Sequence, residues 1–163
     1  MRFISLDVGD KTIGVAVTDA LLMTAQGVTT IERIGARKDA DKVIALIKEY
    51  GCTTVVMGLP RMLDGSDSIQ TQKVRDFKTL LYNKMCASGL KDVEVVFQDE
   101  RFTTKLAENV LIEADVRRKD RKKVIDKQAA VIILQSYLDW YHNQERRRRE
   151  LEDRESSGGE CHE

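Results

Sequence analysis

The sequence is short of the residues that build zinc and redox sites. Its two histidines, His142 and His162, lie near or in the C-terminal tail. Its three cysteines, Cys52, Cys86 and Cys161, are an odd number with no C-x-x-C spacing, which argues against a disulfide or zinc framework. A reducing cytoplasm is the expected compartment. No apolar run approaches the ~20 residues of a membrane span, so no membrane partner is expected. The N-terminus does not read as a signal peptide, because Arg2 is followed within a few residues by Asp7 and Asp10. Nor is there an excess of either charge. Lys+Arg and Asp+Glu each number 27, so only the local distribution of charge can point to a partner. With so little His and Cys, a metal site in the core is left with carboxylate donors, which favours Mg2+ or Mn2+ over zinc. What remains is an ordinary soluble composition, 42% apolar and 33% charged over 163 residues, enough for one domain with a full core.

The chain is organised around residues 3–19, FISLDVGDKTIGVAVTD, which reads as strand, tight turn, strand. Phe3, Ile4, Leu6 and Val8 form an apolar run with Asp7 inside it. Gly9-Asp10 supplies a turn, and Ile13, Val15 and Val17 alternate with small or polar residues. A carboxylate in an apolar strand needs a partner or a metal, since an unpaired buried charge is costly. Gly9 and Gly14 leave room for a close approach to the backbone.

Further along, Ala25–Ile31 reads as a third strand. Residues 39–50 have helical spacing, with Val43, Ile44 and Ile47 inward, Asp39, Asp41, Lys42 and Lys48 outward, and Gly51 as C-cap. Thr53–Leu59 is a buried central strand, stopped by Pro60, the only proline. A helix is expected from about Ser68 to Ala87, its inner stripe Ile69, Val74, Phe77, Leu81 and Met85. Asp92–Gln98 is a fifth strand. Thr103 or Thr104 is placed to cap a helix reaching about Ile112, Glu113–Lys123 is a polar basic stretch, and a last helix runs from near Val124 to near Tyr141. The order β-β-β-α-β-α-β-α-α predicts an α/β fold: a three-strand antiparallel meander extended by two further strands into a mixed five-stranded sheet, with helices on both faces. Residues 1–142 make up the domain, and the charged tail 143–163 is expected to be frayed or disordered.

Two acidic residues fall where such sheets place their sites, at the carboxyl ends of strands, and a third lies on the last helix. Asp7 is near the end of the first strand. Glu100 directly follows the last. Asp126 opens a helical face continued by Ala129, Ala130, Ile133, Tyr137 and Trp140, so it is directed at the sheet. Read singly, each has a plainer explanation. Asp7 closes a hairpin turn, Glu100 sits in an ion-paired surface turn, and Asp126 gains ~0.3–1 kcal/mol from the helix dipole. Together they change the weighing. Two like charges ~4 Å apart repel by ~4 kcal/mol at an effective dielectric of ~20, and a divalent cation offsets that where a dipole cannot. One or two Mg2+ or Mn2+ ions held this way would suit phosphodiester hydrolysis. Lys11, Arg61, Arg101 and the run Arg117, Arg118, Lys119 to Lys123 surround these acids, with Lys127 beside Asp126. A charge run is often only a solvated loop, but here the position favours phosphate contacts, which give affinity without sequence choice.

Five motifs in order, LDVGDKTIGVAVTD, GLP followed by Gly65, QKVRDF, DERFTT and IDKQAAVIILQSYLD, make residues 1–141 resemble the YqgF-like family of bacterial proteins. These are RNase H-like proteins described as Holliday junction resolvase-like or as pre-16S rRNA nucleases. Thr12 stands where many relatives carry Arg, and Ala20 where many carry Pro. The resemblance implies an RNase H-like fold and an acidic catalytic site at Asp7, Glu100 of the DER motif and Asp126 of the D-x-x-A-A motif. It implies a nuclease that acts on structured RNA, in ribosomal precursor particles, or on branched DNA. The junction reading calls for a symmetric dimer, whereas a monomer suffices for RNA trimming. A non-catalytic nucleic-acid-binding module would be expected to lack an acid, and none of the three is missing. The D-x-G-x-x-x-x-G-V-A-V hairpin also resembles the phosphate-binding hairpin of actin-like and sugar kinases, but those require two lobes and this chain provides one.

Overall fold

The computed structural model describes residues 1–60, 68–99 and 118–158, and the side chains of all of these except Asp99 and residues 118–127. The expected helix between Thr103 and Ile112 lies outside the described residues. Five strands form: β1 (Phe3–Val8), β2 (Thr12–Thr18), β3 (Ala25–Glu32), β4 (Thr54–Leu59) and β5 (Glu94–Asp99). Three helices are described: α1 (Ala36–Tyr50), α2 (Ile69–Ala87) and α3 (Arg118–Gly158).

The sheet order is β3-β2-β1-β4-β5. β1, β2 and β3 pair antiparallel, while β1–β4 and β4–β5 are parallel, so the carboxyl ends of β1, β4 and β5 share one edge. Both sheet faces are covered. On one face Ile4, Leu6 and Val8 pack with Val43, Ile44 and Ile47 of α1 and Val74, Phe77, Leu81 and Met85 of α2. On the other, Phe3, Ala16 and Val56 pack against Ala130, Ile133, Leu134, Tyr137 and Leu138 of α3. The mixed five-stranded sheet with helices on both faces is the expected architecture.

Local chemistry explains the helix ends. Gly51 ends α1 in the left-handed region at φ 63°, the conformation only glycine adopts cheaply. Ser68 caps α2, its hydroxyl accepting from the Thr71 backbone N–H while the Thr71 hydroxyl accepts from the Ser68 backbone N–H.

The structure corrects four readings. Asp39 is not on the outer face of α1. It is fully buried, its Oδ2 accepting from Arg33 Nε at 3.0 Å and its Oδ1 from the Ile34 backbone N–H at 3.1 Å. Helical spacing cannot see a partner that lies before the helix. Ile69 is 80% exposed, because at the first position of α2 it stands off the end of the stripe, and Thr71 takes its buried place. Trp140 is 52% exposed, although the next residue, Tyr141, packs against Phe3, so it lies to the side of the face of α3 that the sheet covers. Finally, α3 begins at Arg118 rather than near Val124, and it continues to Gly158 through the stretch expected to be frayed. Glu, Arg and Leu are strong helix formers. Arg148 pairs with Glu145 at 2.7 Å and lies 3.9 Å from Glu152, so the extension carries its own one-turn ion pairs despite its low apolar content.

Candidate active site

Side-chain alternation along β1 sends Ile4, Leu6 and Val8 into the α1–α2 core and Phe3, Ser5 and Asp7 to the α3 face. Phe3 sits edge-on to Tyr137 and Tyr141. Ser5 Oγ donates to the Ala130 carbonyl at 2.6 Å. Advancing along β1 thus means retreating along α3. Asp7 lies one alternation, ~6.6 Å, past Ser5. Position 126 lies one turn, ~6 Å, before Ala130. The backbone therefore brings the predicted pair, Asp7 and Asp126, to the same end of the β1–α3 contact.

The sheet register supplies a second feature. Asp7 pairs across with Gly14 of β2. Leu6 pairs with Met57, Met57 with Phe97, and Gly58 with Gln98, so the next row reads Gly14, Asp7, Gly58, Gln98 across four strands. Ala16 and Val56 belong to the α3-side core, which puts Gly14 and Gly58 on that same face. The half-buried Asp7 carboxylate is flanked on both neighbouring strands by glycines, residues without side chains. Glu100 follows β5 immediately and lies outside the described residues.

The predicted donors are all carboxylate oxygens, which fits a hard divalent cation. Among the described residues no three His, Cys, Asp or Glu side chains cluster. Of the three predicted ligands, Asp7 is the one whose side chain is described. Cys52 takes no part, since burial pushes its thiol up to about 11 against the pull of Arg2 and the N-terminal amine.

Of the predicted phosphate contacts, Lys11 is exposed in the turn between β1 and β2. Positions 118, 119 and 127 fall in the opening turns of α3, which takes in part of the polar basic stretch, at the same end as position 126. Arg61, Arg101 and Arg117 lie outside the described residues. Sequence reasoning missed Ser5, which ties β1 to α3. Its signal was a polar residue two positions before Asp7, on the same strand face. Gly58 was noted with Leu59-Pro60, but its place beside Asp7 emerges only from the register.

Placing a side chain at Gly58 is a direct test. Gly58→Val puts a branched side chain next to Asp7 while suiting a strand. We expect catalytic activity to fall about 100-fold, as misplaced reacting groups generally cause. A steady-state rate measurement with a parallel thermal melt checks this.

A mixed sheet of this order, with two helices on one face, one on the other and a carboxylate at the carboxyl end of β1, is the RNase H-type fold of RuvC-like resolvases. It superposes on T. thermophilus RuvC in complex with a Holliday junction substrate with a TM-score of 0.53, at 13% identity, over 85% of this chain and 96% of that one. The Fowlpox virus resolvase, in complex with substrate Holliday junction DNA, gives a TM-score of 0.53 at 14% identity over 86% of this chain and 99% of that one. At that identity the likeness is one of fold. Sequence is more particular: residues 1–140 match the family described as RuvX: Holliday junction resolvase, and the chain belongs to that family. A Lactococcus lactis subsp. cremoris (strain MG1363) relative is 52% identical over 140 residues, 85% of this chain and 94% of its own. A Clostridioides difficile (strain 630) relative is 49% identical over 142 residues, 87% of this chain and 96% of its own. Both carry the provisional designation pre-16S rRNA nuclease.

Proposed function

We propose that this protein is a divalent-cation-dependent endonuclease that hydrolyses phosphodiesters in structured RNA, trimming the precursor of 16S rRNA in the cytoplasm. The observation that carries the reading is the Asp7 carboxylate between Gly14 and Gly58 in the sheet register, level with the turn of α3 that contains position 126. The designation shared by relatives near 50% identity supports the RNA substrate. Asp7, Glu100 and Asp126 would hold one or two Mg2+ or Mn2+ ions. A cation so bound lowers the pKa of a coordinated water and neutralises charge on the leaving oxygen. The chain's own part is to hold those carboxylates on a strand end, a strand exit and a helix, and to grip the substrate. Lys11, Arg61, Arg101, Arg117, Arg118, Lys119 and Lys127 would contact backbone phosphates on either side of the scissile bond, positioning it without reading sequence. A monomer suffices for this task. No described helix is long and apolar enough to cross a membrane.

A second reading, resolution of branched DNA by a homodimer, is favoured by the family description. The discriminating experiment offers the protein an end-labelled 16S precursor, free and within ribosomal precursor particles, and a synthetic four-way DNA junction, each with Mg2+ or Mn2+. Cuts in RNA alone support the first reading. Paired symmetric cuts in the junction alone replace it with the second. Tight binding without cleavage, unchanged by Asp7→Asn, would mean a non-catalytic binding module.

The phosphate contacts predict a salt effect. Changing Arg117, Arg118 and Lys119 together to Gln is expected to weaken binding and to flatten log K against log salt by ~0.7–0.9 per lost contact. Filter binding across a salt series measures the slope, and an unchanged slope removes these three from the interface.

A further inference from the structure

The turn that follows Asp7 is held from behind. The Val8 carbonyl accepts from Gln70 Nε2 at 3.0 Å, and the Gly9 carbonyl accepts from Arg33 Nη1 at 2.8 Å. The Gly9 N–H donates to the Thr12 carbonyl at 2.9 Å, and a Cβ on Gly9 would stand only 3.0 Å from that same oxygen. Both clamping side chains are themselves anchored in the α1–α2 layer. Arg33 donates through Nε to the buried Asp39 and lies over the Phe77 ring of α2, 5.4 Å from its centroid. Its backbone N–H also reaches the Lys11 carbonyl at 2.9 Å. Gln70 sits in the first turn of α2, beside Thr71, whose hydroxyl bonds the Pro60 carbonyl at the end of β4. The face of the sheet opposite to the one Asp7 occupies therefore fixes the backbone on which Asp7 is mounted.

We propose that Gln70 and Arg33 are positioning residues for the Asp7 carboxylate: by locking the Val8 and Gly9 carbonyls they set its place for the cation. This rests on the metal-site reading above. Neither side chain reaches substrate in this role. Each acts through the one peptide stretch that joins Asp7 to the turn. Outer partners that orient a metal ligand typically change affinity by 10–100-fold when lost. The pair between Lys73 and Asp10, at 3.1 Å on the same turn, is exposed on both sides and grips only a side chain, so it does not share the role.

The test titrates Mn2+ alone into the full chain and reads free Mn2+ by electron paramagnetic resonance, for the parent, Gln70→Leu, Arg33→Lys and Lys73→Ala. Thermal melts are run alongside. Gln70→Leu keeps most of the bulk of the side chain and removes its amide, and with it the donor to the Val8 carbonyl. The expected result is a Mn2+ dissociation constant raised about tenfold in Gln70→Leu and in Arg33→Lys, unchanged in Lys73→Ala, with KM for nucleic acid unchanged in Gln70→Leu. A folded Gln70→Leu protein that binds Mn2+ within about twofold of the parent overturns the inference, whatever Arg33→Lys does, because the expected change is at least tenfold. If the parent binds no Mn2+ at all, the metal-site reading falls and this inference with it.

Discussion

Asp7→Asn abolishes cleavage while leaving the fold in place: we expect at least about a 100-fold loss of rate, the upper end of what the loss of outer partners alone costs a metal site. Asparagine keeps the shape of the side chain and one acceptor oxygen but gives up the charge that balances a divalent cation. The surrounding strand should be indifferent. β1 is held by Phe3 against Tyr137 and Tyr141, by the Ser5–Ala130 hydrogen bond, and by Ile4 and Leu6 in the opposite core. A thermal midpoint within about 4 °C of the parent is therefore expected, corresponding to about 1 kcal/mol for a chain of this size. Rate and midpoint measured on the same preparation check the pair of claims. A large drop in both would show that Asp7 is a structural residue.

Asp39→Ala has the opposite signature. It removes the buried acceptor that Arg33 and the Ile34 N–H share, and so leaves the Arg33 guanidinium, 19% exposed, without its carboxylate. Breaking a buried pair from one side costs about 3–5 kcal/mol, and at about 2–4 °C per kcal/mol the midpoint should fall by roughly 10 °C. Urea unfolding should show a lower midpoint with little change in slope, as expected for lost stability without a change in the surface exposed. A fall of only a few degrees would mean that Arg33 turns to solvent without loss.

The strands of this protein are legible in its sequence because period-two alternation and the placement of turns at Gly9-Asp10 and Pro60 are local signals. Asp7 is legible for a related reason, as the one charge inside an apolar strand. Glu100 stands out as the residue that follows β5, and Asp126 as the carboxylate on an otherwise apolar helical face, although α3 begins eight residues before it; the family resemblance names the same three. What the sequence hides is contact across elements. The glycines at 14 and 58 are unremarkable until the register lines them up on either side of Asp7. Asp39 looks like an ordinary outward residue because its partner, Arg33, lies before α1 begins. The helix through 143–158 is hidden differently: a low apolar content argues against a packed segment, but helix continuation needs only good formers and one-turn ion pairs once α3 has been nucleated against the sheet. Ile69 and Trp140 are exposed because a stripe of apolar residues marks a helix face without marking how far along or around the helix the sheet covers it.

The most direct measurement of the central claim is a crystal of the protein soaked in Mn2+ and recorded for anomalous scattering. The account predicts a peak at coordination distance from the Asp7 carboxylate, on the sheet face shared by Gly14 and Gly58, with carboxylates of Glu100 and Asp126 completing the shell. A fully soaked crystal with no peak beside Asp7, or a peak held by other residues, would contradict it.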